Sequence, residues 1–191
     1  MKKSALLIAL SILTMGLFAQ WAVDKGHSKI AFIVTHHDIS EVDGYFKKFE
    51  ASITSTQNDL SGAVFEMTIE SSSINTDLEM RDNSLKGEDL FNVEKYPTIT
   101  LKSIAFKKIA GNEYTMTGNL TIKGITKLIN LEVRMNGPVP NPNANMKNLQ
   151  VGIKATGKIK RSDFNVGGKL ENAFVSDEVE IKITGEFNKS L

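Results

Sequence analysis

The chain of 191 residues contains no cysteine. It therefore has no disulfide and cannot carry the acylated cysteine of a bacterial lipoprotein. Charge of one sign is not in excess: 23 basic residues face 22 acidic ones. Nothing here attracts a nucleic acid electrostatically. Proline is scarce, and three of the four, Pro138, Pro140 and Pro142, fall in one stretch. There is no Gly-x-Ser-x-Gly elbow, no phosphate-cradling glycine loop and no dinucleotide fingerprint. The one long apolar run, Leu6 to Phe18, is shorter than the roughly 20 residues of a spanning helix.

That run sits behind Lys2 and Lys3, and Leu17 and Ala19 stand at −3 and −1 of a cleavage after Ala19. The pattern predicts a removed export signal over residues 1–19 and one domain over residues 20–191. Removing Lys2 and Lys3 from 23 basic residues leaves 21 against 22 acidic, a net charge of −1. About 170 residues can bury a sizeable core. A periplasmic or secreted protein held by packing and backbone ladders alone is expected.

What the chain does have is alternation. Ile30, Phe32, Val34 and His36 share one parity, as do Phe49, Ala51 and Ile53, and Ala63, Phe65, Met67 and Ile69. The same period carries Tyr114 to Ile122, Ile129 to Met135, Leu149 to Ile159 and Val179 to Gly185, whereas Thr98 to Phe106 has mixed parity. Turn chemistry stands at Asn58-Asp59 to Gly62, Ala110-Gly111-Asn112 and Lys123-Gly124. This predicts an all-β chain with short helical segments, an antiparallel up-and-down barrel of about eight strands. An open sandwich is the alternative. Thr76 to Phe91 reads as helical with a cap at Asn75 or Thr76, and Asp38 to Asp43 as a helical turn. Asn136 to Met146 reads as a surface loop.

Eight strands enclose room for one slim ligand or for packed side chains. The inward candidates are Phe32, Val34, His36, Phe49, Phe65, Met67, Ile69, Met116, Leu120, Leu131, Val133 and Ile153, with Gly118 and Gly157 expected to leave space among them. Such a lumen holds an extended apolar chain by burial alone, at about 0.8 kcal/mol per methylene before binding costs. Any β core shows an apolar inner face, so periodicity leaves both contents open.

The order of short motifs narrows this. Trp21-x-x-Asp24 and His27-Ser28 precede Phe32-x-Val34-x-His36 and Val42-x-Gly44-x-Phe46. Ser72 to Ser103 then carries Arg81-Asp82, Leu85-Lys86-Gly87, Asp89-Leu90-Phe91 and Lys95-Tyr96-Pro97. Gly118-Asn119-Leu120-Thr121 with Lys123-Gly124, and Arg161-x-Asp163-Phe164, complete the series. This order resembles the YceI-like family over nearly the whole mature chain. Asn165 stands where glycine is usual, and Leu90-Phe91 where Phe-Phe is common. The resemblance implies a lipocalin-like barrel holding a long apolar lipid, a polyisoprenoid, an isoprenoid quinone or a fatty-amide-like chain. It implies no catalysis and no cofactor besides that ligand. Transient membrane contact and a homodimer are compatible with it. The alternatives are an enzyme or redox accessory acting on a bound quinone, and a ligand-free structural or stress protein.

The polar candidates are few. His27, His36 and His37 are the only histidines. With Asp24 or Asp38 they have the donor types of a metal site, but neighbours in a strand diverge, so His36 and His37 are expected on opposite faces and no metal is predicted. An inward His36 near a barrel mouth can meet a lipid head group. Ser28 beside His27 is no catalytic pair, and Asp82, Glu88 and Asp89 read as caps or a solvated face. Arg81-Asp82 and Arg161-x-Asp163 are expected as ion pairs or caps that fix loops at one barrel end.

Overall fold

The alternation becomes ten β-strands, all paired antiparallel, in the computed structural model of the protein, which describes residues 19–57, 59–143 and 145–191. The expected leader lies outside the described residues except at Ala19. The strands are β1 (Ala19–His36), β2 (Ser40–Phe46), β3 (Phe49–Ser55), β4 (Val64–Glu70), β5 (Ile74–Asn75), β6 (Thr98–Ala110), β7 (Glu113–Ile122), β8 (Ile125–Pro140), β9 (Asn148–Lys160) and β10 (Val175–Ser190). One helix, α1 (Glu79–Lys86), interrupts them.

Eight strands close the barrel in the order β1-β3-β4-β6-β7-β8-β9-β10, and β10 returns to β1. Closure leaves no free edge in the wall. β1 carries most of it. It pairs with β10 from Ala22 to His36, with β3 at Ala19–Ala22 and with β2 at Ile30–His36. β2 and β3 are one long strand broken at Lys47-Lys48, and β4 and β5 are another broken by a 3-10 turn at Ser71–Ser73. Buried Ser73 joins the two breaks. Its carbonyl accepts from the Lys47 N–H at 3.1 Å and its hydroxyl from the Lys48 N–H at 3.1 Å.

Local chemistry differs from expectation in three places and accounts for one irregularity. No helical turn follows β1. His37 and Asp38 take φ of 54° and 55°, and the Ile39 N–H closes on the His36 carbonyl at 3.1 Å, a turn of the I′ hand that suits a twisted hairpin. α1 covers only Glu79–Lys86 of the expected Thr76–Phe91 and is capped at Leu78 rather than at Asn75 or Thr76, because Asp77 has φ 59° and the Thr76 side chain is engaged elsewhere. β8 runs on through Gly137-Pro138 to Pro140, so the surface loop begins only at Asn141. In β6 the register slips between Ser103 and Ala105. This bulge explains the mixed parity: Ile99, Leu101 and Ser103 are buried on one side of it and Phe106 on the other.

The two ends of the barrel differ. At one end Trp21, Ile53, Leu60, Tyr114, Met135, Val151 and Phe187 are buried together. There Phe106 lies 4.7 Å from Phe65 and stacks on Tyr114 at 4.7 Å between ring centroids. That end is filled. The other is hollow and is covered by α1 and the segments around it. Gly118 and Gly157 do not open space as expected. A Cβ on Gly118 would meet the Lys102 carbonyl at 3.0 Å, and one on Gly157 would meet Leu131 Cδ2 at 2.5 Å and the Asn130 carbonyl at 2.9 Å. Each glycine lets a neighbouring strand pack closely.

Gly157→Val should therefore overpack the β8–β9 wall. A loss of about 1–3 kcal/mol is expected, a fall in Tm of roughly 3–10 °C by calorimetry. An unchanged Tm would mean that Leu131 and the β8 backbone yield freely.

Candidate functional site

Beneath α1 the lower halves of the strands enclose a cavity of about 340 Å³. Parity sends alternate side chains inward, so each strand contributes from its covered end: Ile30, Phe32 and Val34 from β1, Met67 and Ile69 from β4, Ile99 and Leu101 from β6, Leu120 and Ile122 from β7, Ile129 and Leu131 from β8, and Val179, Ile181 and Ile183 from β10. The lid adds Leu85, Leu90, Phe91, Phe164, Val166 and Leu170. Among the described residues, only His36, Thr76, Ser84, Arg81 and Arg161 bring polar side chains to it.

Of the twelve inward candidates, Phe32, Val34, His36, Met67, Ile69, Leu120 and Leu131 line this cavity. Phe49, Phe65, Met116, Val133 and Ile153 do not. They belong to the packed core, with Phe65 against Phe106. Parity decides which side of the wall a residue takes but not how far along the barrel it lies. The β10 residues share the inward parity of Val179 and Ile183. The lid residues carry no periodic signal, although Leu85 and Leu90-Phe91 stand inside the Ser72–Ser103 stretch.

A small buried network sets the lid. Asp82 is buried, and its Oδ1 accepts from the Thr76 N–H at 2.8 Å and the Thr76 hydroxyl at 2.6 Å. Arg81 Nε donates to the same hydroxyl at 2.7 Å and its Nη2 to the Thr76 carbonyl at 2.7 Å. Arg81-Asp82 is expected as an ion pair or cap that fixes a loop; the two side chains do not pair but attach jointly to Thr76, which ties the first turn of α1 to the end of β5. On the opposite side, buried Arg161 is not paired with Asp163. Its Nη1 donates to Gly167 O at 2.6 Å, its Nη2 to Leu170 O at 2.9 Å and Val175 O at 3.1 Å, and its Nε to Ser176 O at 3.1 Å. A fixed fork of donors suits such a cluster of carbonyls. It holds the 161–176 segment against the barrel mouth. Ser162 donates through its N–H and hydroxyl to Asp177, at 3.0 and 2.8 Å. Those bonds help hold the Asp177 carboxyl below the usual range against the opposing effect of burial.

The histidines behave differently from the prediction. His36 and His37 do not diverge. The positive φ at His37 ends the strand, and the two rings stack at 3.8 Å and 20°, with Phe174 edge-on to His37 at 5.5 Å. His27 stands on a loop-out of β1, its Nδ1 3.0 Å from Asp24 Oδ2 and 4.0 Å from Glu186 Oε2. Hydrogen bonding to Asp24 raises the His27 pKa, and the same bond lowers that of Asp24. Glu186 was missed from sequence, since only pairing of β1 with β10 brings it there.

Known proteins share this architecture. Protein YceI of Salmonella newport is 35% identical over 170 residues, 88% of this chain and 86% of that protein. The crystal structure of Burkholderia cenocepacia BcnA superposes with a TM-score of 0.74 at 30% identity, covering 86% of this chain and 98% of BcnA. A polyisoprenoid binding domain from Saccharophagus degradans, implicated in plant cell wall breakdown, has the same fold at a TM-score of 0.64 and 16% identity, covering 90% of this chain and 99% of that domain. The YceI-like domain family matches residues 21–187. A closed eight-stranded barrel with the expected series of motifs, matched from Trp21 to Phe187, belongs to the YceI-like family.

Proposed function

We propose that the protein binds one long-chain apolar lipid of isoprenoid type, with its tail in the cavity beneath α1, and stores or carries it without transforming it. The observation that carries this reading is a hollow, almost wholly apolar chamber in a barrel whose other end is solid with aromatic side chains. Its volume lies at the low end of the range of small-molecule sites, about 300–1,000 Å³. Burial of about 0.8 kcal/mol per methylene offsets the cost of association only for a long tail. Met67 supplies a side chain that adapts to branched shapes. The barrel shared with the polyisoprenoid binding domain of Saccharophagus degradans supports the isoprenoid class.

Polar groups gather at the covered end, where a head group would remain. His36 and Arg81 both line the cavity there. The hydroxyls beside them are already spent, Thr76 on Asp82 and Ser84 on the Met80 carbonyl at 3.0 Å. No hydrogen-bonded nucleophile–base pair faces the cavity among the described residues, which favours carriage over chemistry. The export pattern of residues 1–19 supports carriage in the periplasm or the medium.

Native mass spectrometry of protein taken from its own cell envelope, with solvent extraction, should reveal a stoichiometric apolar adduct. A bare mass that persists after incubation with isoprenoid quinones and fatty amides would instead favour a ligand-free barrel. Met67→Trp should fill the chamber, weaken tail binding at least about tenfold, and leave Tm within a few degrees, because it enters empty space. Arg81→Ala should lower Tm by a few degrees through loss of its bonds to Thr76, roughly 1–3 kcal/mol. Lost binding at unchanged Tm would place Arg81 on the ligand.

A further inference from the structure

The antiparallel register sets Asp24 of β1 directly opposite Glu186 of β10. Like charges facing each other across a strand pair repel. The ion pairs these two carboxylates make among the described residues both run to His27. Lys25, the nearest cation in sequence, is turned away to Glu50. On the far side of β10, Glu186 faces Gly152 of β9, whose open Cβ position leaves the flank clear. Lys154 of β9 pairs instead with Thr184.

His27 reaches this place because β1 loops out there. Lys25 to Ser28 lie between Asp24 and Lys29, opposite the single residue Gly185 of β10. The loop is braced at both ends: the Gly26 N–H donates to Asp24 Oδ1 at 2.9 Å, and the Glu186 N–H donates to Ser28 Oγ at 3.1 Å. One imidazole and two carboxylates therefore converge, their ligand atoms all within 4.8 Å of one another. One cation held by all three groups would offset both facing carboxylates.

We propose that Asp24, His27 and Glu186 form a surface site for a divalent transition-metal cation of the zinc class, with water completing its shell. Zinc bonds of about 2.0–2.2 Å to nitrogen and oxygen put neighbouring ligand atoms roughly 3–3.5 Å apart. The separations of 3.0 and 4.0 Å need only small side-chain adjustment. The mixed nitrogen and oxygen donors suit zinc or copper better than calcium or magnesium, which take oxygen. The site is independent of the lipid chamber. It stands at the lip of a polar cleft in the barrel seam, where Lys25, His27, Tyr45 and Lys48 line the gap left between β1 and the β2–β3 break. An imidazole binds a metal through an unprotonated nitrogen, so acid weakens binding.

Isothermal titration of zinc sulfate into the untagged protein tests this. One site of micromolar affinity is expected near pH 7.5, weakened at least about tenfold near pH 5.5. Glu186→Gln should weaken zinc binding at least about tenfold while the metal-free Tm holds or rises, since a like-charge contact is gone. His27→Gln should abolish binding, and the double variant His36→Gln/His37→Gln should keep it within about threefold. The proposal is overturned by the absence of saturable binding up to about 1 mM zinc, by binding that survives Glu186→Gln, or by binding lost with the His36 and His37 pair.

Discussion

Closure of β1 onto β10 is the constraint on which the rest of the molecule depends. Without a disulfide, a wall of eight strands stays shut only if the first and last strands find each other across the whole chain. The ladder from Ala22–Asn188 to His36–Val175 does this. It fixes which residues face inward on both strands, and so the walls of the chamber. It also forces the four residues of the β1 loop-out to the surface, because β10 has only one residue to set against them.

The barrel spends its interior in two ways. Half of it is packed with aromatic and large aliphatic groups at the density of an ordinary core, where removal of a side chain costs several kcal/mol. The other half forgoes that contact and is stabilised from outside, by Asp82 and Thr76 beneath the helix and by Arg161 under the 161–176 segment. Buried charges are tolerated in these places because hydrogen bonds engage Asp82 Oδ1 and every nitrogen of the Arg161 fork. The lid thus has polar fastenings around an apolar room. Its position is set without filling the space it covers.

Strand positions, barrel class and family were legible because period-two alternation and the order of short motifs are local properties. Depth along the barrel was not. Phe32 and Phe65 have equal claims by parity, yet one lines the chamber and the other plugs the far end. The helix was misplaced because the Thr76 side chain, which would cap it, is drawn into the bonds with Asp82 and Arg81. The His36–His37 divergence failed because the strand ends between them, in a turn that strand geometry does not describe. Glu186 beside His27 is invisible to any local reading, since well over a hundred residues separate them.

The stack of Phe65, Phe106 and Tyr114 fills the barrel beyond the chamber. A guest of the proposed kind would meet a closed far end and could pass only through the covered one. The chamber would then act as a ruler. Its depth, more than head-group identity, would set how much of a chain the barrel shields from water.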